Sequence, residues 1–395
     1  DLEGSQQIID GTNLCVSPGF IDVHSHGDIA LGKDFTTLCK VSQGITTDIA
    51  GQCGFTSFPV NPNTLDLLQE DLSIFTDNFD DNMKRFTSFK KYLDYSSKFD
   101  LTYNTMFLIG HCTLRTAVMG FENRKPTSKE LDKMKDLVRE AMENGCIGLS
   151  SGLIYTPGVY SQTEELIELC KVVKEYNGRY VTHMRSESDK LLEAVKEAIY
   201  IAETAGVPLG ISHYKVQGKS NWGLPKQGLQ LIEQAISRGM EITIDQYPYE
   251  SGMTHLYVSI PPKYISNGIG ELINLLKDKN IREEIKSEMI NPTTEFENYY
   301  ICANGFDGIF IADCPTFKDP VGMTIGDYSR KLNIDPFDAF FDILIKNHGV
   351  CTAIYFTMGE DDIFNIIKNE NTVIGTDGIV KSLDGKCHPR AYGTF

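Results

Sequence analysis

The sequence predicts an α/β fold, a barrel of eight parallel strands joined by crossover helices, on three observations. Short runs rich in Val, Ile, Tyr and Thr alternate with longer amphipathic stretches, the pattern of parallel strands and their returning helices. There are eight such runs, at 19–24, 45–50, 103–110, 146–151, 179–184, 207–213, 241–247 and 372–376. Several of them end in His, Cys or Asp, at the rim where a (β/α)8 barrel keeps its active site.

Between the strands, 127–143 and 162–176 read as helices, with Lys and Glu on one face and Leu, Val or Met every three or four residues. Thr163 with nearby Glu165, and Ser188 before Asp189, have the composition of helix starts. The spacing breaks between the seventh and eighth strands, where residues 250–371 intervene. That stretch holds helical patterns at 268–288 and 359–369 and apolar runs at 299–303 and 351–356. It is too long for a loop, which predicts a lid-like insertion at the barrel mouth. The expected division is a barrel from 18–249 and 372–395 with the insertion at 250–371.

Composition narrows the classes of function. A chain of 395 residues is larger than one small module, and 41% hydrophobic with 23% charged residues is the profile of a globular protein. Acidic residues outnumber basic ones by 54 to 37, a net charge of −17, which opposes a nucleic-acid or anionic-membrane partner. No stretch reaches the roughly 18 consecutive apolar residues of a membrane span. The N-terminus, Asp1-Leu2-Glu3-Gly4, lacks a signal peptide's basic and apolar regions, so the expected compartment is the cytoplasm. Ten cysteines without a C-x-x-C pair predict reduced thiols rather than a disulfide framework. The oligomeric state is left open.

The chemistry-bearing residues fall at strand ends. His24 and His26 close the first strand, and alternate residues of an extended segment point the same way, so the two imidazoles can grip one metal ion. An H-x-H pair alone is a weak signal, more often solvated or hydrogen-bonded than ligating. Cys53, in Gly51-Gln52-Cys53-Gly54, follows the second strand and by itself reads as a small buried thiol. His183 ends the fifth strand and His213 the sixth, each readable as a core histidine; Asp377 ends the eighth, readable as a turn aspartate before Gly378. Together these readings strain, because buried titratable groups cost several kcal/mol each unless paired or metal-bound. A shared metal supplies the partner. Of the other histidines, His111 reads as supporting or structural, His255 as a pocket lining, and His348 and His388 as loop residues.

Several motifs match a known group. Pro18-Gly19-Phe20-Ile21-Asp22-Val23-His24-Ser25-His26 resembles the opening signature of the amidohydrolase superfamily. Gly51-Gln52-Cys53-Gly54, Ser150-Ser151-Gly152-Leu153-Ile154-Tyr155, Thr182-His183-Met184-Arg185-Ser186-Glu187, Ile211-Ser212-His213-Tyr214-Lys215, Asp245-Gln246-Tyr247 and His388-Pro389-Arg390 resemble the N-acyl-D-amino-acid deacylases, or D-aminoacylases. The similarity runs in order from residue 8 to 395, least clearly in 60–100 and 260–350.

The resemblance implies a metal-dependent hydrolase barrel and a zinc-dependent amidase. Cys53 would replace the bridging carboxylated lysine of many relatives, and the fourth strand, Cys146 to Leu153, has no lysine to carboxylate. Cys53, His183 and His213 would hold a tight zinc, with His24, His26 and Asp377 forming a second, weaker position that shares Cys53. Zinc lowers the pKa of a bound water towards about 7 and polarises the amide carbonyl. Asp377 would take the water's proton and pass it to the departing amine. Lys215 and Arg390, helped by Tyr155 and Tyr247, would bind the carboxylate of a small N-acyl amino acid.

Two departures stand out. Relatives often carry a small hydroxyl residue near Met253, a role Thr254 can take. A β-sandwich normally flanks the barrel, whereas here only Ile8-Ile9-Asp10-Gly11 through Val16 resembles its N-terminal part, so 1–17 is expected to be a remnant of a reduced or truncated small domain. Two alternatives stay open: a cyclic amidase of the hydantoinase or dihydroorotase kind, and an inactive scaffold of the same fold.

Overall fold

The computed structural model describes residues 9–30, 38–76, 79, 81–293, 295–379 and 387–395. Parallel strands β1 (Phe20–Asp22), β2 (Ile45–Ala50) and β3 (Asn104–Phe107) form one sheet. After Leu108 the same run continues as β4 (Ile109–Gly110), which opens a second parallel series with β5 (Gly148–Gly152), β6 (Arg179–His183), β7 (Leu209–Ile211) and β8 (Ile242–Gln246). The last strand of that series comes late in the chain, so the barrel's eighth position is filled from beyond residue 370.

Between β8 and that strand, β9 (Ser251–His255), β10 (Ile309–Asp313) and β11 (Thr352–Phe356) make a separate antiparallel sheet in the order β10, β11, β9. β12 (Thr372–Ile374) then pairs with β8, and a parallel bridge from Ser25 to Gly378 closes the barrel. All five residues of β5 and all three of β7 are buried, as expected of parallel strands covered on both faces.

The crossover helices follow from local chemistry. Ser128–Glu143 starts with a reciprocal capping box, in which the Thr127 hydroxyl accepts from the Glu130 N–H and the Glu130 carboxylate accepts from the Thr127 N–H. Helix Thr163–Glu175 has Gln162 at its N-cap, and the Thr163 hydroxyl donates to Glu197 instead of capping. Ser188 is not a cap either. Helix Leu191–Ala205 begins after Lys190, and the Ser188 hydroxyl donates to Glu297 and Asp189. That helix therefore starts without a side-chain cap, since Lys190 at its N-cap offers no acceptor.

Within 250–371 a second apolar cluster, including Leu256, Leu272, Phe340 and Tyr355, is separate from the barrel core. The apolar run at 299–303 is a helix, Tyr299–Cys302, capped by the Asn298 side chain, whereas the run at 351–356 is β11. The pattern at 268–288 is two helices, Ile269–Leu275 and Lys279–Ile290, divided where Asp278 caps the second. Helix Glu360–Ile367 turns back to the barrel, packing on helix Leu224–Ser237 and β12 and burying Ile366 in the barrel core. Of the N-terminal segment expected to be a small-domain remnant, residues 1–8 lie outside the described residues, and 9–17 are exposed and carry no strand. Among the described residues no helix is long and apolar enough to cross a membrane.

Candidate metal centre

The strand ends bring His24, Cys53, His213 and Asp377 to one point, with their donor atoms all within 4.8 Å of one another and all four side chains buried. Cys53 Sγ lies 3.3 Å from His24 Nε2 and 3.4 Å from His213 Nε2. His24 Nε2 is 3.3 Å from Asp377 Oδ1, and His26 Nε2 is 3.2 Å from the same oxygen. His183 joins through a second group that shares His213 and adds Glu187, and its ring stands edge-on to His213 at 4.4 Å.

Backbone conformation aims these groups. Cys53, His213 and Asp377 hold φ of 54°, 34° and 46°, in the left-handed region that non-glycine residues avoid. Gly152 lets the Cys53 loop approach β5: a Cβ there would sit 2.1 Å from the Cys53 carbonyl oxygen.

The electrostatics suit a cation. Burial pushes the Cys53 thiol up to about 11 against the pull of His24, so it needs a metal to ionise. Burial holds His26 down to about 4, and His183 and His213 well below their ordinary value, leaving neutral imidazoles, of which His26 Nδ1 and both nitrogens of His183 have no hydrogen-bond partner. Burial also opposes charge on His24, yet Asp245, Cys53 and Asp377 raise its pKa well above normal. Asp377 is buried too, and Arg390 before all others holds it ionised. Neither ring nitrogen of His183 has a hydrogen-bond partner, and its Nε2 stands 3.6 Å from Glu187. Thiol, imidazole and carboxylate in one buried cluster, with an orphaned imidazole, form a donor set that fits zinc.

The residues expected to bind a carboxylate are also placed here. Arg390 Nη1 pairs with Asp377 Oδ2 at 2.7 Å and Nη2 donates to the Met253 carbonyl, while Nε is buried without a partner. Its guanidinium lies 4.9 Å from the centre of the Tyr247 ring, whose hydroxyl is buried and unpartnered. Lys215 is engaged with Glu187 at 2.7 Å and with His213 Nδ1 and carbonyl oxygen. The Tyr155 hydroxyl accepts from Thr254.

Of these groups Arg390 and Tyr155 line a small cavity, which Lys215 and Tyr247 do not border. His26, Cys53, Asp377, Arg390, Tyr155 and Thr254 contribute its polar atoms, and Phe55, Ile74, Phe75, Met253 and Ile379 its apolar wall. His255 also lines it, held neutral by burial at a pKa of about 4, with Nε2 against the Asp71 carbonyl.

Comparison with known proteins decides the family. The sequence profile described as "Amidohydrolase family" matches residues 7–275. A D-aminoacylase of Alcaligenes xylosoxydans xylosoxydans is 32% identical over 391 residues, which is 98% of this chain and 68% of that protein. The chain belongs to the amidohydrolase family. An N-acyl-D-aspartate deacylase of the same organism is 28% identical over 98% of this amidohydrolase and 67% of its own length. Among solved structures, the N-acyl-D-glutamate deacylase of Bordetella bronchiseptica, complexed with zinc and a phosphonate mimic of the tetrahedral intermediate, superposes with a TM-score of 0.77. It is 28% identical, and the match covers 95% of this chain and 68% of that one. A D-aminoacylase with a binuclear metal centre gives 0.74 at 31% identity, with the same coverage.

Sequence reasoning passed over two residues of this amidohydrolase's site. Asp245 accepts from the His213 N–H at 2.8 Å and meets His24 Nδ1 at 3.0 Å, fixing that ring's orientation. It lies one residue before the end of β8, so the strand-end rule that singled out the candidate ligands also reaches it. Glu187 bridges Lys215 and His213 Nδ1, and its signal is its place four residues after His183. His388 is the loop residue expected, and it is buried, with Nε2 against Ser251 and Nδ1 accepting from the Arg390 N–H, which caps the short helical turn Pro389–Ala391. His111 pairs with Glu165 beside Arg115, away from the cluster, and His348 sits in an exposed turn.

Proposed function

We propose that this amidohydrolase hydrolyses the amide bond of N-acyl-D-amino acids with uncharged side chains, releasing a D-amino acid and a carboxylate. The observation that carries this reading is the buried cluster of His24, Cys53, His213 and Asp377 with Arg390 beside it. The kind of substrate, and its D configuration, rest on the deacylases it resembles.

Cys53, His183 and His213 hold the tight zinc in this reading, and His24, His26 and Asp377 the weaker position. When bound, the metal polarises the substrate carbonyl and makes water acidic enough to ionise near neutrality. Asp377 accepts the proton of the attacking water at Oδ1 and delivers it to the amine as the C–N bond breaks. Arg390 meets the substrate carboxylate with its unpartnered Nε, and the Tyr247 hydroxyl donates beside it. Lys215 adds charge to the same end once it shares Glu187. Tyr155 and Thr254, hydrogen-bonded to each other, help at the same carboxylate end, and 250–371 acts as the lid that carries Met253, Thr254 and His255.

Charge accounting sets the side-chain preference. Arg390 is the one lysine or arginine among the described lining residues, and His26 and His255 are neutral above a pH of about 4. With Arg390 and Lys215 given to the substrate carboxylate, a second one, on an aspartyl or glutamyl side chain, faces Phe55, Ile74 and Phe75 with no further lysine or arginine among the described lining residues.

The test assays paired N-acetyl-D and N-acetyl-L amino acids, with zinc measured on the same sample. Turnover of the D series by zinc-loaded protein is expected. Preference for cyclic amides would favour the hydantoinase-like alternative, and metal-free inactive protein the scaffold alternative.

A further inference from the structure

The two halves of the metal cluster are supported differently. His183 and His213 sit on β6 and just beyond β7, inside the uninterrupted ladder from β4 to β8. His24, His26 and Asp377 straddle the line where β1 meets β12, which is joined by a bridge from Ser25 to Gly378 rather than by a ladder. The backbone bonds there are Asp377 N–H to the His24 carbonyl at 2.9 Å and His26 N–H to the Gly378 carbonyl at 3.2 Å.

Behind that seam lies a buried ammonium. Lys40, on helix Leu38–Val41 and 1% exposed, donates to Asp22, to Ser25 Oγ at 2.7 Å, to Asp48 at 3.3 Å and to Thr376 Oγ1 at 3.4 Å. These partners come from β1, β2 and the segments after β1 and β12. Asp22 in turn accepts from the Thr376 N–H at 2.8 Å and hydroxyl at 2.7 Å, and from the His24 N–H at 3.3 Å. Ser25 Oγ donates to Asp48 and accepts from the Gly27 N–H. Each of the three seam ligands is therefore one residue from a group that Lys40 holds directly: His24 and His26 flank Ser25, and Asp377 follows Thr376.

We propose that Lys40 is a positioning residue for the metal half-site of His24, His26 and Asp377, a cation that replaces a strand ladder as the tie across the barrel's closure. It touches neither metal nor substrate, and it acts through Asp22, Ser25 and Thr376. The half-site of Cys53, His183 and His213 does not depend on it. The inference rests on the metal-site reading above.

The test compares wild type with Lys40→Met and with the charge-neutral triple variant Asp22→Asn, Lys40→Met, Asp48→Asn. The triple variant keeps the question open to measurement if two unpaired buried carboxylates unfold the single variant. Zinc affinity is read by chelator competition, folding by circular dichroism, and turnover on an N-acetyl-D-amino acid. A folded variant is expected to bind its first zinc within about twofold of wild type, and its second about tenfold or more weakly. Its kcat is expected to fall about tenfold or more with KM within about twofold, because Asp377 rather than Arg390 is displaced. Where wild type takes up one zinc only, the kcat and KM split decides. Equal weakening of both zincs, unchanged affinities and kcat, or failure of both variants to fold would each overturn the proposal. Wild-type protein that binds no zinc and hydrolyses nothing defeats the underlying reading instead.

Discussion

The floor and the wall of the cavity come largely from different parts of the chain and obey different rules. The floor is polar and made at barrel strand ends, where Cys53 and Asp377 line the cavity and, with His24 and His213, are each held by backbone geometry or by a second buried group such as Asp245. The wall is apolar and made largely by other segments, Ile74 and Phe75 just after helix Leu65–Leu72 and Met253 on β9 of the antiparallel sheet, joined by Phe55 and Ile379 from the stretches just after Cys53 and Asp377. Phe75 stacks on His26 at 4.4 Å, so the two surfaces touch. The contrast separates reaction, which needs fixed donors, from selection, which needs only shape and the absence of charge.

The largest expected break of this contrast is Asp377→Asn. It should lower kcat by about a thousandfold or more, since proton transfer is lost, while zinc at Cys53, His183 and His213 remains measurable. Loss of that zinc in the same variant would place Asp377 in the tight site. Arg390→Ala should raise KM for N-acetyl-D-leucine by about ten- to a hundredfold, a charge-assisted contact being worth about 1.5–3 kcal/mol, and an unchanged KM refutes its part in substrate binding.

Selectivity is the next test. N-acetyl-D-leucine should exceed N-acetyl-D-aspartate and N-acetyl-D-glutamate in kcat/KM by about a hundredfold, and Ile74→Arg should narrow that ratio by placing a cation in the wall. Equal rates on the acidic substrates in wild type would show that charge reaches the wall by another route.

The smallest effect is on stability. Burial raises the Asp71 pKa well above the usual carboxylate range, its Oδ2 has no partner, and its carbonyl holds His255. Folded protein thus keeps a proton that the unfolded chain has lost above a pH of about 4, so this contribution is present in acid and fades as pH rises. The slope is at most about 1.4 kcal/mol per pH unit. Asp71→Asn should flatten the fall in melting temperature between pH 5 and 8; an unaltered profile means that Asp71 is ionised in the folded chain.

Much of the floor was readable in the linear order. His183 ends a strand, and His24, His26, Cys53, His213 and Asp377 follow just after strands, whose apolar runs stand out, and a barrel sends all those ends to one rim. The same logic covers Asp245, one residue before the end of β8. Lys40 was not readable, since its partners Asp22, Ser25, Asp48 and Thr376 meet only once the barrel closes. Ser188 was misread for a related reason: it looked local, and it is claimed by Glu297, more than a hundred residues away. The wall was least readable, as Ile74 and Phe75 fall in the 60–100 stretch where the resemblance is weakest and where apolar residues suit any core.

Alternation of strand and helix, a period encoded over a few residues, suffices to order the barrel and to put six candidate ligands on its rim. Closure decides the rest. Which carboxylate faces which cation, which nitrogen stays unpartnered and which apolar side chains face the donors depend on contacts between distant segments, and buried charge makes those contacts obligatory without revealing them in sequence.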